Sequence, residues 1–473
     1  MALPNTDLGS EKIKAILRSA RGVWFLGVGG ISMSALAEAT LLAGFRTGGD
    51  DRADSDRVRR LREKGAEIRT GSAEPIPEGY DLVVYTVAIS RDDPQYNDAL
   101  AKGLPLVSRA DYLGYLTEDF RVRVGIAGMH GKSTCTAMCA QILSAAGDPT
   151  IYAGAELPAL GGDCCRIGNA REIALFESCE YMDSFLRLSP NVAVVLNIGM
   201  DHVDYFHSME QVRASFCGFA DRAKDGVLLW NADDPESRRA FAGRGGAMTF
   251  SLKDPAADFY AAKVRVGHGE IGFSLLEKGE EPFAIHLRAV GLHSVYNALA
   301  AAAAARLAGV PAETIASALE DYRGAARRTE FKGYFRACPV YDDYAHHPDE
   351  IKATVEGIRA LVPPGGRLVA VYQPHTYSRT AGFFRAFSEA FDHVDLLLLS
   401  DIYAAREKNE SGVSSAQLAN AIRRRGGRVL STGSVAQTAT VLKSFLRAGD
   451  LLVVMGAGDI ESVFEELPLE QEP

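Results

Sequence analysis

The chain repeats one pattern of apolar and polar positions, in which a short apolar run ends in glycine or a polar residue and a helical periodicity follows. Examples of these runs are GVWFLGVGG, DLVVYTVAI, VRVGIAGMHG, VAVVLNIG, GVLLW, RLVAVYQP, DLLLLSDIY and DLLVVMGAGD. Unbroken apolar strands that alternate with amphipathic helices are typical of parallel sheets covered on both faces. Ligands of such sheets bind at the carboxyl ends of the strands, so we expect functional groups directly after these runs.

The pattern divides the chain into three blocks, which we predict to be domains. The first covers residues 1–118, the second 119–323 and the third 324–473. The second block also contains FYAAKVRVGHGEIGFSLLE, which predicts antiparallel strands, and NALAAAAAARLAGV, which predicts a buried helix. A chain of 473 residues is too long for one core, which agrees with several domains.

The composition narrows the class of protein. Hydrophobic residues make up 47% of the chain and charged residues 24%, which is typical of a soluble globular protein. The net charge of −10 disfavours a nucleic-acid or membrane surface, so an anionic ligand needs backbone amides or a few fixed cations. The seven cysteines form no CxxC motif and the N-terminus shows no apolar signal segment, so we expect a cytoplasmic protein.

One glycine-rich turn joins the predicted strand VRVGIA to a predicted helix. Amide groups at a helix N-terminus, followed by a lysine, can bind a polyphosphate, and a hydroxyl after the lysine can bind Mg²⁺. Lys132 and Ser133 suit these roles. The spacing is irregular, because Ile126 stands where the usual phosphate-binding loop has its first glycine. A simple turn with a solvated lysine is the alternative interpretation.

A second glycine-rich turn follows the first predicted strand and also leads into a helix. Its residues are Gly27, Val28, Gly29, Gly30, Ile31, Ser32, Met33 and Ser34. The turn is similar to a dinucleotide fingerprint, although Ser32 replaces the third glycine. The acidic pair Asp50–Asp51 lies near the position of a ribose-binding carboxylate. The turn indicates a nucleotide or phosphate site and does not identify NAD as its ligand.

Acidic residues and a histidine follow two strands of the second block. In chain order they are Glu177, Glu180, Asp183, Asp201, His202 and Asp204. Carboxylate oxygens at the mouth of a triphosphate loop suit Mg²⁺, and a histidine can complete a second Mg²⁺ or Mn²⁺ site. For each residue taken singly, a helix cap or a solvated acid is the alternative.

The third block gathers further polar groups after its strands. They are Asp342, Asp343, His346, His347, His375, Arg379, Arg406, Glu407 and Lys408. These residues could bind a transition metal. They could equally well position a substrate beside the helix that begins at Pro348. Arg327 and Arg328, at the hinge before the block, could reach a transferring phosphoryl group when domains close, or they are ordinary surface charges.

In their order along the chain, these motifs resemble the Mur ligase family over nearly the whole sequence. The resemblance is carried by GVGGISMSALAE, LVSRADYL, GMHGKST, ESCEYMDSFL, GLHSVYNALAAAA, RRTEFKG, DDYAHHPDEI, QPHTYSRT, DIYAARE and GAGDI. It implies an α/β protein of three domains. The N-terminal domain is then Rossmann-like and binds a UDP-sugar, the central one is a P-loop-type mononucleotide-binding ATPase domain, and the Rossmann-like C-terminal domain binds an amino acid.

The resemblance also implies a reaction, in which ATP drives the joining of L-alanine to the carboxylate of UDP-N-acetylmuramate through an acyl phosphate. The implied cofactors are ATP and Mg²⁺, with Mn²⁺ as a substitute. We expect no nucleic-acid or membrane partner, and a monomer or homodimer.

Functional residues of the family carry over to matching positions of this sequence. The catalytic set is Lys132, Glu180, His202, Arg327, Arg328, Asp343, His346, His347 and Arg379. The ATP set is Gly128, Met129, His130, Gly131, Lys132, Ser133, Thr134, His293 and Asn297. The UDP-sugar set is Gly27, Gly29, Gly30, Ser32, Met33, Ser34 and Asp51. The metal set is Ser133, Glu180 and His202.

The sequence departs from the family pattern at a few positions. Met129 and Ser133 replace threonines of the loop, Gly199 stands where the family commonly has an acid, and Ser294 replaces an asparagine. No lysine matches the carbamylated lysine that related ligases place near the metals. Two other functions therefore stay open: a ligase that adds a ready-made tripeptide to the same sugar nucleotide, and a non-catalytic relative that binds a UDP-sugar. An NAD-dependent dehydrogenase would leave blocks two and three unexplained.

Overall fold

The computed structural model describes residues 3–71, 74–223, 225–405 and 407–472, and this part of the chain folds around three β-sheets. The sheets contain five, ten and six strands, and each is built from one continuous part of the sequence. The architecture is therefore α/β with three domains, as the resemblance implies. The bounds 1–118, 119–323 and 324–473 stay a prediction.

The N-terminal domain contains a fully parallel sheet in the order β3-β2-β1-β4-β5. Its strands are β1 (Gly22–Leu26), β2 (Arg46–Asp51), β3 (Glu67–Thr70), β4 (Leu82–Tyr85) and β5 (Leu106–Ser108). Its helices are α1 (Ser10–Leu17), α2 (Ile31–Leu42), α3 (Asp56–Glu63), α4 (Pro94–Ala101) and α5 (Arg109–Thr117). Val23 and Phe25 of β1 enter one apolar core and Trp24 and Leu26 enter another, so both faces of the sheet are covered.

The central domain contains a mixed sheet in the order β15-β14-β13-β12-β11-β10-β6-β9-β7-β8. Its strands are β6 (Val122–Ala127), β7 (Thr150–Leu157), β8 (Asp163–Arg166), β9 (Ile173–Glu177), β10 (Val192–Val195), β11 (Val227–Asn231), β12 (Met248–Ser251), β13 (Phe259–Gly267), β14 (Glu270–Glu277) and β15 (Phe283–Arg288). Its helices are α6 (Lys132–Ala146), α7 (Met209–Asp221), α8 (Pro235–Phe241), α9 (Leu292–Leu307) and α10 (Ala312–Glu320), with 3-10 helices at Pro158–Leu160 and Tyr181–Arg187. The predicted antiparallel strands are β13 and β14, whereas the sequence did not predict the antiparallel strands at the two edges, β8 and β15.

The C-terminal domain contains a sheet in the order β16-β17-β21-β18-β19-β20, parallel except for β16. Its strands are β16 (Glu330–Phe335), β17 (Cys338–Asp343), β18 (Leu368–Tyr372), β19 (Leu396–Ser400), β20 (Val429–Gly433) and β21 (Leu451–Met455). Its helices are α11 (Pro348–Arg359), α12 (Tyr377–Gly382), α13 (Phe384–Glu389), α14 (Ser415–Arg424) and α15 (Val435–Phe445), with a 3-10 helix at Ile460–Glu466. Alternate residues of β18 again enter two separate cores.

The alanine-rich helix α9 packs against α6, the helix that begins at the predicted phosphate-binding loop (residues 128–134). Every residue from 298 to 305 is buried, as the sequence predicts for this run. Small side chains let two helices approach closely, so the first turn of α9 lies beside the start of α6. This packing brings Asn297 to the loop.

The domains contact one another through charged side chains. Arg57 pairs with Glu156 at 2.9 Å between the N-terminal and central domains. Arg379 pairs with Asp201 at 3.0 Å between the C-terminal and central domains. No helix in the described part of the chain is long and apolar enough to cross a membrane.

Candidate active site

Two glycines shape the loop between β6 and α6. Gly131 caps the N-terminus of α6 with φ of 85°, and Gly128 has φ of 149°. A Cβ on Gly131 would lie 2.5 Å from Asn297 Oδ1, and a Cβ on Gly128 would lie 2.9 Å from the Cβ of Leu196. Both the backbone conformation and the neighbours therefore require glycine. The loop presents its amide groups at the N-terminus of α6, where an anion is favoured.

Asn197 fixes the loop from the neighbouring strand end. Its Oδ1 accepts the His130 N–H at 2.9 Å, its Nδ2 donates to the His130 carbonyl at 2.9 Å, and its own carbonyl accepts the Met129 N–H at 3.2 Å. Asn197 follows β10, which is paired with β6, so two adjacent strand ends are tied together. The loop conformation is thus held before any ligand binds.

Two departures from the family pattern are neighbours in the structure. The Met129 side chain is 4% exposed, and a Cβ on Gly199 would lie 3.8 Å from its Cγ. An acid at position 199 would therefore stand against the methionine side chain. The backbone of Met129 serves the loop, and a Cβ at position 199 would make an ordinary van der Waals contact with the Met129 side chain.

Lys132, Glu180 and His202 form a largely buried polar cluster at the loop. Lys132 Nζ lies 2.9 Å from Glu180 Oε2 and donates to the carbonyls of Gly128 at 2.5 Å and Met129 at 3.1 Å. His202 Nε2 lies 3.3 Å from the other Glu180 oxygen, and the Glu180 side chain is 1% exposed. The cluster brings together three residues that are 48 and 22 positions apart in the sequence.

The charges in this cluster stabilise one another. Burial by itself lowers the pKa of Lys132, but Glu180, Cys179 and Glu177 together outweigh burial and the pKa is raised. Burial by itself raises the pKa of Glu180. Lys132 and His202 outweigh burial, so the pKa of Glu180 lies below its usual value. The lysine and the glutamate are therefore both charged at neutral pH.

The two hinge arginines point in different directions. Arg328 Nη2 donates to Ser133 Oγ at 3.2 Å, so it reaches the first turn of α6. Arg327 instead pairs with Asp342 at 3.2 Å and Glu461 at 2.9 Å inside the C-terminal domain. Only Arg328 of the predicted pair contacts the phosphate-binding loop in this structure.

Asp343 organises the hinge. Its Oδ2 accepts the Thr329 N–H at 2.7 Å and the Thr329 hydroxyl at 2.9 Å, and its Oδ1 accepts the Ala345 N–H at 2.8 Å. Burial raises the pKa of Asp343, and Arg328 opposes this. Asp343 thus ties the hinge segment to the strand end that carries the two histidines.

The histidine pair of the C-terminal domain lies against the phosphate-binding loop. The ring of His347 lies 4.7 Å from the ring of His130, and His130 Nδ1 lies 3.1 Å from Glu350 Oε1. His346 Nδ1 lies 3.0 Å from the Tyr344 carbonyl. Burial lowers the pKa of His346, and burial followed by the nearby His130 lowers that of His347 to about 4. Both imidazoles are therefore neutral at pH 7.

Arg379 crosses from α12 to the central domain. Its Nε and Nη2 donate to Asp201 Oδ1 at 3.1 and 3.0 Å, and its Nη1 lies 3.2 Å from His375 Nδ1. The two side chains of the ion pair are 11% and 7% exposed. Asp201 Oδ1 also accepts the His202 N–H at 2.7 Å, so this interdomain pair continues directly into the cluster at the loop.

A cavity of about 1000 Å³ lies between the central and C-terminal domains. Predicted ATP residues among its lining are His130, Gly131, Thr134, His293 and Asn297, and predicted catalytic residues are Arg328 and Asp343. Phe331 and Tyr341 supply aromatic surface to the same cavity. Its size and position, with a phosphate-type loop at one end and aromatic rings in the wall, suit a nucleotide.

The N-terminal glycine turn lies at the carboxyl end of β1. The Gly29 N–H donates to Asp51 Oδ2 at 2.8 Å, so this predicted ribose carboxylate is bonded to the turn itself. Ser32 Oγ accepts from Arg109 at 3.0 Å, while Met33 and Ser34 are buried. Ser34 Oγ lies 3.7 Å from Cys164 Sγ of the central domain, so the turn faces the interdomain cleft.

Several predicted polar residues serve the fold outside this site. Asp183 accepts from the Tyr205 hydroxyl at 2.7 Å, and Asp204 from the Tyr181 hydroxyl at 2.8 Å. Glu407 accepts the Ser378 N–H at 2.8 Å. Arg406 lies outside the described residues. These acids have local partners away from the loop.

The sequence analysis gave no role to three residues of the site: Asn197, Glu350 and Arg109. Asn197 and Glu350 stand within quoted motifs, but their contacts to His130 depend on strand and domain packing. Asn197 could have been found from its place directly after an apolar strand, as with Glu180. Arg109 also directly follows a strand, but β5 has only three residues and is too short to be recognised as an apolar run.

The fold and this site are those of an ATP-dependent ligase. A glycine-rich loop in the central domain faces a cavity that the C-terminal domain closes. Three family models match the chain: the Mur ligase family catalytic domain at residues 23–121, the Mur ligase middle domain at 126–305 and the Mur ligase glutamate ligase domain at 327–458. The chain belongs to the Mur ligase family, whose members are ATP-dependent ligases.

Relatives and solved structures agree with this membership. A UDP-N-acetylmuramate–L-alanine ligase of Clostridium beijerinckii is 38% identical over 94% of this chain and 96% of its own length. One from Lachnospira eligens is 40% identical over 94% of this chain and 97% of its own. The crystal structure of the UDP-N-acetylmuramate–alanine ligase from Thermotoga maritima has a TM-score of 0.79 at 24% identity, covering 94% of this chain and 97% of that one. At that identity the structural likeness concerns the fold.

Proposed function

We propose that this chain joins L-alanine to the carboxylate of UDP-N-acetylmuramate in an ATP-dependent reaction of peptidoglycan precursor synthesis. The observation that carries the proposal is the Lys132–Glu180–His202 cluster at the phosphate-binding loop, beside a cavity that the C-terminal domain closes. Family membership and relatives of 38% to 40% identity support the same reaction. The cytoplasm is the expected location, where UDP-sugars and ATP are available.

ATP is the nucleotide that fits the cavity in this proposal. The backbone amides of residues 128–134 bind the phosphates of ATP, and the side chains of His293 and Asn297 contact its adenine. Lys132 now donates to two loop carbonyls, and a bound polyphosphate gives its ammonium a stronger anionic partner at the same place. Because the loop is already held by Asn197, little reorganisation opposes binding.

The residues at the loop also fit Mg²⁺. Glu180 Oε2 is fully buried and makes no aligned hydrogen bond, although Lys132 Nζ lies 2.9 Å away. A buried carboxylate, a hydroxyl on Ser133 and an imidazole on His202 are a donor set that suits a divalent cation at a triphosphate. When bound, Mg²⁺ supplies positive charge to the phosphate oxygens.

The metal role of Glu180 has its own test. We expect Glu180→Ala to raise the Mg²⁺ concentration needed for half-maximal activity, because its carboxylate is the buried anion of the set. Measuring ADP release over a Mg²⁺ titration checks this. An unchanged titration midpoint would exclude Glu180 from metal binding.

The chemistry requires two anions to meet, the substrate carboxylate and the terminal phosphate. The carboxylate oxygen forms a bond to the γ-phosphorus as the bond to ADP breaks, which gives an acyl phosphate. Lys132 and Arg328 are the cations at the loop that lower the repulsion during this approach. The amine of L-alanine then attacks the acyl carbon, and phosphate leaves.

The C-terminal domain protects the acyl phosphate from water in this scheme. Its contacts to the central domain include Arg379 with Asp201 and Glu350 with His130, and both lie next to the loop. Asp343, His346, His347 and Arg379 surround the place where the amine must enter. His346 and His347 are neutral, so they add no positive charge against the incoming ammonium of L-alanine.

The test of the proposed function is ADP release with UDP-N-acetylmuramate and a panel of amines: L-alanine, glycine, L-serine and the tripeptide. L-Alanine should give the highest kcat/KM. A preference for the tripeptide would replace the proposal with the recycling reaction. Silence with all four amines, together with intact binding of the sugar nucleotide, would favour a non-catalytic relative.

A further inference from the structure

An N-terminal strap, which we define as residues 3–9, lies across the N-terminal domain ahead of α1. Asp111 of α5 is buried, and its Oδ2 accepts the Thr6 hydroxyl and the Leu8 N–H, both at 2.8 Å. A buried carboxylate that accepts several hydrogen bonds holds its donors firmly, because an unpaired charge in that place is unfavourable. The strap is thus fixed to the N-terminal domain.

Asn5 of the strap reaches across to the central domain. Its Nδ2 donates to the Met182 carbonyl at 2.7 Å and to Ser184 Oγ at 3.1 Å. The Ser184 hydroxyl in turn donates to the Tyr181 carbonyl at 2.8 Å. These groups belong to the 3-10 helix that begins directly after Glu180. A side chain of the N-terminal domain therefore holds the backbone that follows a residue of the proposed metal set.

The backbone that Asn5 holds has a conformation that costs free energy. Met182 has φ of 54° and ψ of 29°, and Asp183 has φ of 56° and ψ of 29°, so both lie in the left-handed region. Aspartate is enriched in this region, whereas methionine is uncommon there. A strained conformation persists only where the surrounding structure holds it, and the Asn5 amide donates to the carbonyl of Met182 itself.

The left-handed turn fixes the position of Glu180. The Asp183 N–H donates to the Glu180 carbonyl at 3.0 Å, so the turn closes back on the backbone of Glu180. The Tyr181 ring lies 4.6 Å from the ring of His202, the other side chain that contacts the Glu180 carboxylate with Lys132. A shift of the turn would therefore move two parts of the polar cluster at once.

We propose that Asn5 is a positioning residue, which holds the left-handed turn at Met182 and Asp183 and through it the Glu180 carboxylate. The inference rests on the proposed function, in which Glu180 binds the metal. Glu180 contacts Lys132 at 2.9 Å, so a small shift of its backbone changes the distances on which cation binding depends. Because Asn5 belongs to the N-terminal domain, docking of that domain on the central domain completes the turn.

Asp7 of the same strap provides a matched contrast. It pairs with Arg187 at 2.6 Å, at the far end of the same 3-10 helix, and its side chain is 72% exposed. An exposed ion pair contributes little to the free energy of folding. Loss of Asp7 tests a general loosening of the contact between the domains, whereas loss of Asn5 tests the turn.

Hydrogen exchange and metal binding of the full-length protein test the inference. Asn5→Ala should speed exchange of the Asp183 amide, and of the Phe185 amide that donates to the Cys179 carbonyl, by about tenfold or more. Binding of Mn²⁺ with a non-hydrolysable ATP analogue, measured by electron paramagnetic resonance, should weaken by about threefold to tenfold. The affinity for UDP-N-acetylmuramate should stay within about twofold, as should all three quantities in the control Asp7→Asn.

Met182→Gly separates the turn from other effects of Asn5. Glycine adopts the left-handed conformation without steric strain, so the turn then depends less on the hydrogen bond from Asn5. When Met182→Gly is already present, we expect Asn5→Ala to weaken Mn²⁺ binding by about twofold or less.

Four results would overturn the inference. Unchanged exchange in Asn5→Ala would show that the turn holds itself, and unchanged Mn²⁺ affinity would show that the turn does not set Glu180. An equal effect of Asp7→Asn would reduce Asn5 to a contact between domains. An undiminished loss beside Met182→Gly would mean that Asn5 acts by another route. Because none of these measurements requires turnover, failure of ligation with L-alanine is a separate outcome.

Discussion

Lys132, which we propose to bind the phosphates of ATP, illustrates how the fold itself can order a functional side chain. Its ammonium is already held by Glu180 and two loop carbonyls, so the side chain is ordered and charged in the free protein. Fixing a lysine side chain costs conformational entropy of about 2 kcal/mol, and here folding rather than ligand binding meets that cost. An incoming polyphosphate therefore finds the cation in place.

Lys132→Ala should abolish ATP-dependent phosphate release with UDP-N-acetylmuramate and L-alanine, by a factor of about a thousand or more. The same change leaves Glu180 as a buried carboxylate without its lysine, so we expect the pKa of Glu180 to rise. Coupled ADP release measures the activity. Lys64→Ala, which removes a surface partner of Glu38, is the control and should retain full turnover.

At the scale of elements, the site depends on how strand ends and helix starts meet. The loop after β6 is tied to the end of β10, and the start of α9 closes it from the other side through Asn297. The small residues of α9 allow this approach, because larger side chains would hold α9 away from α6. The geometry of the loop is thus a property of three packed elements.

Gly131→Ala tests this dependence. The new Cβ would meet Asn297 Oδ1 at 2.5 Å in a left-handed conformation, so we expect a loss of about 1–3 kcal/mol in stability and a large loss of ATP affinity. Gly147→Ala at the other end of α6 is the matched control, since no atom lies within 4 Å of its Cβ position. Denaturant unfolding and ATP titration measure both effects. Equal behaviour of the two variants would contradict the assigned role of Gly131.

The sequence motifs predicted which strands, loops and helices carry the site. They did not predict which side chains contact one another. The strand–glycine–helix pattern predicted the position of the loop, and the alanine run predicted a buried helix. That Asp51 bonds Gly29, or that Arg327 turns toward Asp342 while Arg328 reaches Ser133, could not be read from the sequence. Such contacts depend on how segments far apart in the chain are placed relative to one another. The local sequence pattern carries no information about this placement.

At the scale of the molecule, closure of the C-terminal domain is linked to the reacting cluster. Arg379 pairs with Asp201, the next residue is His202, and His202 contacts Glu180, which holds Lys132. The contact between domains therefore borders directly on the groups that we propose to bind ATP. Removing one partner of a buried ion pair leaves an uncompensated charge and is strongly unfavourable.

Asp201→Asn should weaken the docking of the C-terminal domain by about 3 kcal/mol. Small-angle scattering of the free protein should then report a larger radius of gyration, and kcat should fall more than the affinity for the sugar nucleotide. The control is Glu389→Gln, which alters an exposed pair with Arg385. Unchanged scattering for Asp201→Asn would show that the pair does not hold the domain.

Acid should destabilise the same interface through His347. Its pKa in the folded protein is about 4, below the unfolded value of about 6.5, so below pH 6.5 the unfolded chain binds a proton that the folded protein does not. The free energy of unfolding should fall between pH 6.5 and about 4, by up to about 1.4 kcal/mol per pH unit from this residue. Unfolding at several pH values measures the slope.

His347→Asn should flatten this dependence, because asparagine can still cap α11 without taking up a proton. His393→Asn, at an exposed position, should leave the slope as it is. A slope that His347→Asn does not change would assign the acid sensitivity to other groups.

The sequence by itself determined the α/β class, the positions of the two glycine-rich turns and the family of the protein, because these depend on local periodicity and on short motifs in a fixed order. Tertiary structure decided which charges became partners. It placed Lys132 beside Glu180, Arg379 beside Asp201 and Arg109 beside Ser32. The physical reason is that the strength and direction of an ionic contact depend on distance and burial, and both are set only when the three domains pack.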